Sequence, residues 1–131
     1  MSIKNLKTFV DERGVLLPLE FKNCPFKPER VFYVYGVPRF MRRGCHAHYK
    51  TSQFILCLSG EIRVGLHNGE KLWEGVITPG QAVHIETMVW DYQDFLTGHD
   101  VLAVLCSTAY NPDDYIMDFD EFRRIKNETL S

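Results

Sequence analysis

Hydrophobic and polar residues alternate along most of this chain with the period of two that marks extended strands. Arg30-Val31-Phe32-Tyr33-Val34-Tyr35 alternates and stops at Gly36, and apolar runs at 54–58 and 62–66 flank a turn at Gly60. A strand at 15–20 follows the turn Asp11-Glu12-Arg13-Gly14. Asn68-Gly69 is a two-residue hairpin signal, because both positions tolerate positive φ. Further strands are predicted at 71–76, 82–86, 89–95 and 101–107, with Thr78-Pro79-Gly80 turning the chain between the first two. Only the tail takes a helical period. Over 118–125, Phe119, Phe122 and Ile125 share a face, Asp118 caps, and acid precedes base as the macrodipole prefers. Roughly ten short strands with one terminal helix predict an all-β sandwich or barrel closed on itself.

With 131 residues, the chain fits one domain, 1–131, large enough to bury a core. Its 45% hydrophobic and 24% charged content is that of an ordinary globular protein. A formal charge of −2 with no basic stripe excludes nucleic acid and anionic membrane as expected partners, but leaves an anionic small molecule open. No stretch has the length of a transmembrane helix, and Met1-Ser2-Ile3-Lys4-Asn5 lacks the apolar core of a signal peptide. Cys24, Cys45, Cys57 and Cys106 show no paired spacing, and Cys57 and Cys106 sit in apolar runs as small hydrophobes. A reduced, cytoplasmic protein is expected.

The candidate chemistry lies in Gly44-Cys45-His46-Ala47-His48. In an extended chain, His46 and His48 point to one face and Ala47 to the other. Such a pair suits either a metal or a moving proton. A metal needs a full ligand set, yet no carboxylate stands between His48 and Gly60. Gln53 is a weak neutral substitute, and a distant His84 does not restore the missing charge. Proton transfer needs less: a near-neutral imidazole can remove a proton next to a carbonyl, while a second His or a Tyr serves the oxygens. Taken alone, a histidine more often satisfies a backbone group. A same-face pair bracketed by Arg43 favours function, without a metal.

Most surface arginines are solvated. Arg63 is read differently, as an inward cation for bidentate phosphate binding, with Ile62, Val64 and Leu66 on the opposite side. Arg13 and Arg30 are further phosphate candidates. Trp90, Tyr92 and Phe95 can stack a base or sugar, although aromatic residues at this spacing more often belong to a core.

Taken in order, Asp11-Glu12-Arg13-Gly14, Pro25-Phe26, Arg30-Val31-Phe32-Tyr33-Val34 and Arg43-Gly44-Cys45-His46-Ala47-His48 resemble the dTDP-4-keto-6-deoxyglucose 3,4-ketoisomerases. These are small cupins of bacterial deoxysugar pathways, also found in WxcM-like proteins. The likeness continues through Gln53, Leu56 to Gly60, Arg63-Val64, Val89-Trp90, Asp94-Phe95 and Asp114-Tyr115-Ile116, nearly the whole chain.

The resemblance implies a cupin-type jelly-roll barrel with a short C-terminal helix, free of metal and other cofactors. It implies a dTDP-linked 4-keto-6-deoxyhexose as substrate, and a homodimer that exchanges N-terminal strands. A pyridoxal-phosphate aminotransferase would follow, making 3-amino sugars for surface glycans. His46 and His48 match the active-site pair, with the second the favoured base at sugar carbon 3. Two positions depart from the pattern. Trp90-Asp91-Tyr92 stands where many relatives continue the Trp with His-Glu, and His84 stands where an aromatic residue is expected. The loop 36–42 is also more basic than expected.

The expected reaction moves the ketone from carbon 4 to carbon 3 through an enediol. His48 takes the carbon 3 proton, and His46, helped by Tyr33, serves the oxygens. Arg13, Arg30, Arg43, Gln53, Arg63 and Trp90 are the expected substrate-binding residues. A dTDP-sugar 3,5-epimerase, a metal-dependent cupin oxygenase and a non-catalytic sugar-binding cupin are the alternatives. The configuration produced at carbon 4, gluco or galacto, stays open.

Overall fold

A strand with one apolar face lowers its free energy by laying that face on another, so a chain of such strands stacks into layers. The computed structural model describes residues 1–130, with side chains as far as Glu128. Its strands are β1 (Ile3–Asn5), β2 (Phe9–Asp11), β3 (Gly14–Leu16), β4 (Arg30–Tyr35), β5 (Met41–His48) and β6 (Gln53–Ser59). They continue as β7 (Ile62–His67), β8 (Leu72–Ile77), β9 (Gln81–Ile85), β10 (Trp90–Phe95), β11 (Val101–Cys106) and β12 (Tyr115–Ile116), before helix α1 (Phe119–Leu130).

Apart from the β7–β8 hairpin, strands β4 to β11 alternate between two antiparallel sheets, ordered β4–β11–β6–β9 and β5–β10–β7–β8. That is the jelly-roll connection, and the all-β expectation holds. β1 extends the first sheet beyond β9, and β12 extends the second beyond β5. Among the described residues no ladder joins one sheet to the other, so side-chain packing rather than hydrogen bonding closes the structure. The apolar interior between the sheets includes Ile55 and Cys57 of β6, Ile62 and Val64 of β7, Phe95 of β10 and Val104 of β11. Cys57 and Cys106 are fully buried and free.

The outer faces are covered unequally. On the second sheet, α1 sets Phe122 against Ala47 and Ile116, with Trp90 and Phe119 packed around them. Asp118 caps this helix by accepting from the backbone N–H of Asp120 at 2.8 Å, and Asp120 and Glu121 add the favourable acid in the first turn. The helix runs beyond 125 to Leu130. On the first sheet, Leu6, Leu17, Leu19 and Phe26 lie over Phe54, Leu56 and Leu105. The strand predicted at 15–20 therefore stops at Leu16, since Pro18 has no N–H for a ladder and the segment crosses a sheet face instead.

The hairpin of β2 and β3 pairs only with itself. Its Phe9, Val10, Val15 and Leu16 are all at least half exposed. Beside it, the uncovered part of the first sheet forms an apolar groove of about 500 Å³ lined by Leu17, Phe21, Val31, Tyr33 and Leu58. No helix among the described residues is long and apolar enough to cross a membrane.

The turn between β6 and β7 depends on Gly60, at φ 82°. The Asp100 carboxylate fills the space there, accepting from the backbone N–H groups of Glu61, Thr97 and Gly98 at 2.8, 3.0 and 3.2 Å. A Cβ at Gly60 would stand 2.0 Å from Asp100 Oδ1. Gly60→Ala is expected to cost roughly 1–2 kcal/mol through the left-handed backbone alone. Displacing Asp100 adds to that, so urea unfolding should show a loss at or above this range.

Candidate active site

Strand β5 carries the histidine pair, and a one-residue bulge sets what stands beside it. Asp91 is the cross-strand partner of His46, but the next residue, Tyr92, pairs with Gly44. Cys45 is thus the extra residue, and Gly44 and Cys45 take φ of 86° and 63°. Strict alternation from His48 and His46 would send Arg43 outward. The bulge reverses the phase, so Arg43 pairs with Gln93 and lines the interior while Arg42 faces out opposite Asp94.

The inner faces of β4, β5, β6, β10 and β11, with β12, enclose a cavity of about 350 Å³ at this end of the sandwich. Arg30, Arg43, His46, Gln53, Asp91 and Tyr115 are among its lining residues. The rings of His46 and His48 are 4.9 Å apart, and Tyr115 stands 5.1 Å from the first and 4.5 Å from the second. Tyr115 is the cross-strand partner of His48. The Asp114 carboxylate anchors β12 by accepting from the backbone N–H groups of Lys50 and Thr51 at 2.8 and 3.1 Å.

Burial governs the electrostatics. It pushes His46 down to about 4, with the neighbouring His48 adding to the effect. His48 is also lowered, chiefly by burial, with Asp114 pulling the other way. Both rings are neutral bases at pH 7. Asp91, only 1% exposed, is pushed up to about 7 by burial against the opposing hydrogen bond from Gln93. Its Oδ1 accepts from Gln93 Nε2 at 2.8 Å, whereas Oδ2 has no hydrogen-bond partner and lies 4.0 Å from His46 Nε2. Ligand atoms of His46, His48 and Asp91 all lie within 4.8 Å of one another, so among the described residues these three could gather around a cation. The same group is equally a set of adjacent proton acceptors.

The family described as FdtA, WxcM-like, C-terminal matches residues 1–127. The chain belongs to this family. It is 34% identical over 122 residues to the TDP-4-oxo-6-deoxy-alpha-D-glucose-3,4-oxoisomerase of Aneurinibacillus thermoaerophilus, covering 92% of this chain and 88% of that one. A 3,4-ketoisomerase from Helicobacter canadensis superposes with a TM-score of 0.89 at 31% identity, covering 96% of each chain. A histidine-to-asparagine variant of the QdtA 3,4-ketoisomerase from Thermoanaerobacterium thermosaccharolyticum, solved with TDP-4-keto-6-deoxyglucose, gives 0.90 at 28% identity over 97% of this chain and 94% of that one.

Within this FdtA-family chain, the structure brings His46, Arg30, Arg43 and Gln53 around one cavity, with the buried His48 ring packed against His46 and Tyr115 at its wall. Arg30 points inward and packs over the rings of Phe32 and Tyr110. Gln53 is buried, with Nε2 donating to Cys106 Sγ at 3.7 Å. Four expected positions have other surroundings in this chain. Arg63 faces outward, because Ile62, Val64 and Leu66 take the core, and it meets Asp94 at 3.4 Å beside Arg42. Trp90 packs against Phe119 and Phe122 under the helix, not over a ligand. Tyr33 is 58% exposed, with its side chain on the face of β4 opposite Arg30, Phe32 and Val34, although it is among the residues that border the cavity. Arg13 sits at the hairpin tip, paired with Asp11 at 2.6 Å, away from the cavity of its own chain. Of the other aromatic candidates, Phe95 is core, and Tyr92 lies outside under Arg42 with its hydroxyl on Glu74. His84 is held on the first sheet against Phe26.

Sequence reasoning missed Tyr115 and Asp91 as site residues. Both stand in segments already noted for likeness or departure, but only the pairing of β12 and β10 with β5 reveals their place.

The two ionisations oppose each other in stability. Asp91, raised from 3.8, contributes stability at low pH that is lost as pH rises toward 7. His46, lowered from 6.5, contributes stability that is lost as pH falls toward 4. Between these limits they offset in the wild type. Asp91→Asn removes the carboxyl's contribution, so its stability relative to wild type should grow from pH 4 to about pH 7 and then level off in denaturant titrations.

Proposed function

We propose that this chain is a sugar-nucleotide 3,4-ketoisomerase, converting dTDP-4-keto-6-deoxyglucose to a dTDP-3-keto-6-deoxyhexose in deoxy-amino-sugar biosynthesis. One observation carries the reading: two neutral imidazoles, His46 half-buried and His48 buried, stand side by side at the end of a cavity that also holds a tyrosine and arginines. The names of its FdtA-family relatives supply the reaction class.

Isomerisation needs one carbon proton and one oxygen proton moved, with no external oxidant. In this reading His48, kept neutral by burial, removes the proton from carbon 3. The resulting enediolate is protonated at carbon 4, and the hydroxyl proton passes between the two oxygens through His46. Tyr115 takes the helper role expected of Tyr33, because it alone of the two touches both rings. Arg30 and Arg43 at the cavity meet the diphosphate. The 3-ketone formed is the group that a pyridoxal-phosphate aminotransferase consumes. Reduced cytosol suits the free cysteines and a sugar-nucleotide substrate.

Quaternary structure belongs to the same proposal. The exposed apolar hairpin and the apolar groove beside it are complementary, and a homodimer that exchanges hairpins covers both. Exchange also carries Arg13 to the partner molecule, where it can approach the second site. Val10→Asp should therefore give a monomer by sedimentation; a dimer that persists unchanged removes the hairpin from the interface.

Incubation with dTDP-4-keto-6-deoxyglucose and proton NMR of the product tests the chemistry. A relocated ketone is expected, whereas a retained 4-ketone with altered ring stereochemistry means epimerisation. Activity unaffected by chelator is the expected result, and loss restored by a metal ion transfers the histidines to ligand duty. His48→Asn should lower kcat by roughly 10²–10⁴-fold with KM little changed, as for a group acting mainly in the transition state. Near wild-type turnover would remove His48 as the base.

A further inference from the structure

Of the polar groups around the histidine pair, one holds a buried oxygen without a hydrogen-bond partner. Asp91 is a carboxyl on the inner face of β10, almost wholly buried, with one oxygen held by Gln93 and the other unpartnered and directed at His46. An unpaired buried carboxyl is costly, and replacing it with an apolar residue would relieve the cost. It is not tied to an arginine; the arginines of β5 and β7 on the outer face are engaged by Asp94 instead. Nor does it cap a backbone segment, as Asp100 and Asp114 do.

We propose that Asp91 is a positioning residue that stores the exchangeable proton behind His46. This rests on the ketoisomerase reading above and extends it to the oxygen side of the reaction. His46 Nε2 faces Asp91, which leaves Nδ1 for the substrate. As the enediolate forms, Nδ1–H gives its proton to oxygen 4 while the Asp91 hydroxyl gives its own to Nε2. In the return step, Nδ1 takes the proton of oxygen 3 and Nε2–H returns one to Asp91. Together with the carbon step, C3–H and O3–H break, C4–H and O4–H form, and carbon 3 is oxidised as carbon 4 is reduced. Asp91 and His46 finish as they began. The balance of affinities supports this direction of storage, since burial raises the carboxyl to about 7 and lowers the ring to about 4.

Other groups face the pair and share its titration. His48 lies on the same strand, Tyr115 on β12 and Gln93 on β10, with Arg43 lining the cavity. Arg30 and Asp114 act by charge on His48. Of the carboxyls and imidazoles among these, only Asp91 is both buried and unpartnered.

The test begins on wild-type protein without substrate, using ¹⁵N-histidine NMR across pH 4 to 9. The His46 ring nitrogens should show a step with a midpoint near neutrality, produced by ionisation of Asp91, and Asp91→Asn should abolish it. In turnover, Asp91→Asn should lower kcat by about 100-fold with KM changed little, and remove the neutral limb of the kcat–pH profile. A neutral step that survives in Asp91→Asn, or a variant with wild-type kcat and pH profile, overturns the proposal. If Asp91→Asn does not fold, the wild-type titration decides: no neutral step at His46 refutes proton storage. These readouts are separable from the reading beneath them, because a wild-type enzyme that leaves the 4-ketone in place fails the ketoisomerase assignment while the NMR titration still reports on the pair.

Discussion

Desolvation is the constraint from which the site follows. The two sheets exclude water from their shared interior, and at most positions an apolar side chain accepts that condition without cost. At the β5–β10–β12 end the interior holds two imidazoles and a carboxyl, and exclusion of water there drives all three toward neutrality. Neutral imidazoles are the form that can accept a proton, so the packing that makes the fold also readies the bases. The outer face of the same sheet shows the contrast. There Arg42 and Arg63 share Asp94 near solvent, where an ion pair is cheap to make and contributes little.

Much of this architecture was legible from alternation alone. β4, β6, β7, β9, β10 and β11 coincide with apolar periodicity, and Asp118 with its following acids marked the helix start. Alternation fixes which residues share a face but not which face is inside, and Arg63 was misplaced for that reason. The apolar triplet Ile62, Val64 and Leu66 has the stronger claim on the core. Trp90 followed the same rule one strand over: Asp91 and Gln93 hold the inner face of β10, so the indole turns to the helix.

The site was legible in its centre and not at its edges. His46 and His48 announce themselves by spacing. Asp91 lies forty-odd residues away, and its approach depends on strand pairing that no local pattern encodes. β12 is two residues long, too short for any periodicity, so Tyr115 carried no signal of its own. The Gly44-Cys45 pair did carry one, because a glycine inside a strand often marks a bulge, but it does not say which side of the break is turned.

That bulge gives β5 a property its composition hides. A substitution at Cys45 leaves the residue count intact, so the inner and outer sets of the strand keep their places. A change of length does not: removing one residue there would exchange the faces of everything from Gly44 back to Met41, sending the cavity arginine into solvent and the Asp94 partner into the interior. Over evolutionary time the length of this strand should therefore be held as firmly as its histidines, and an insertion or deletion within it would mark a descendant that has abandoned this site.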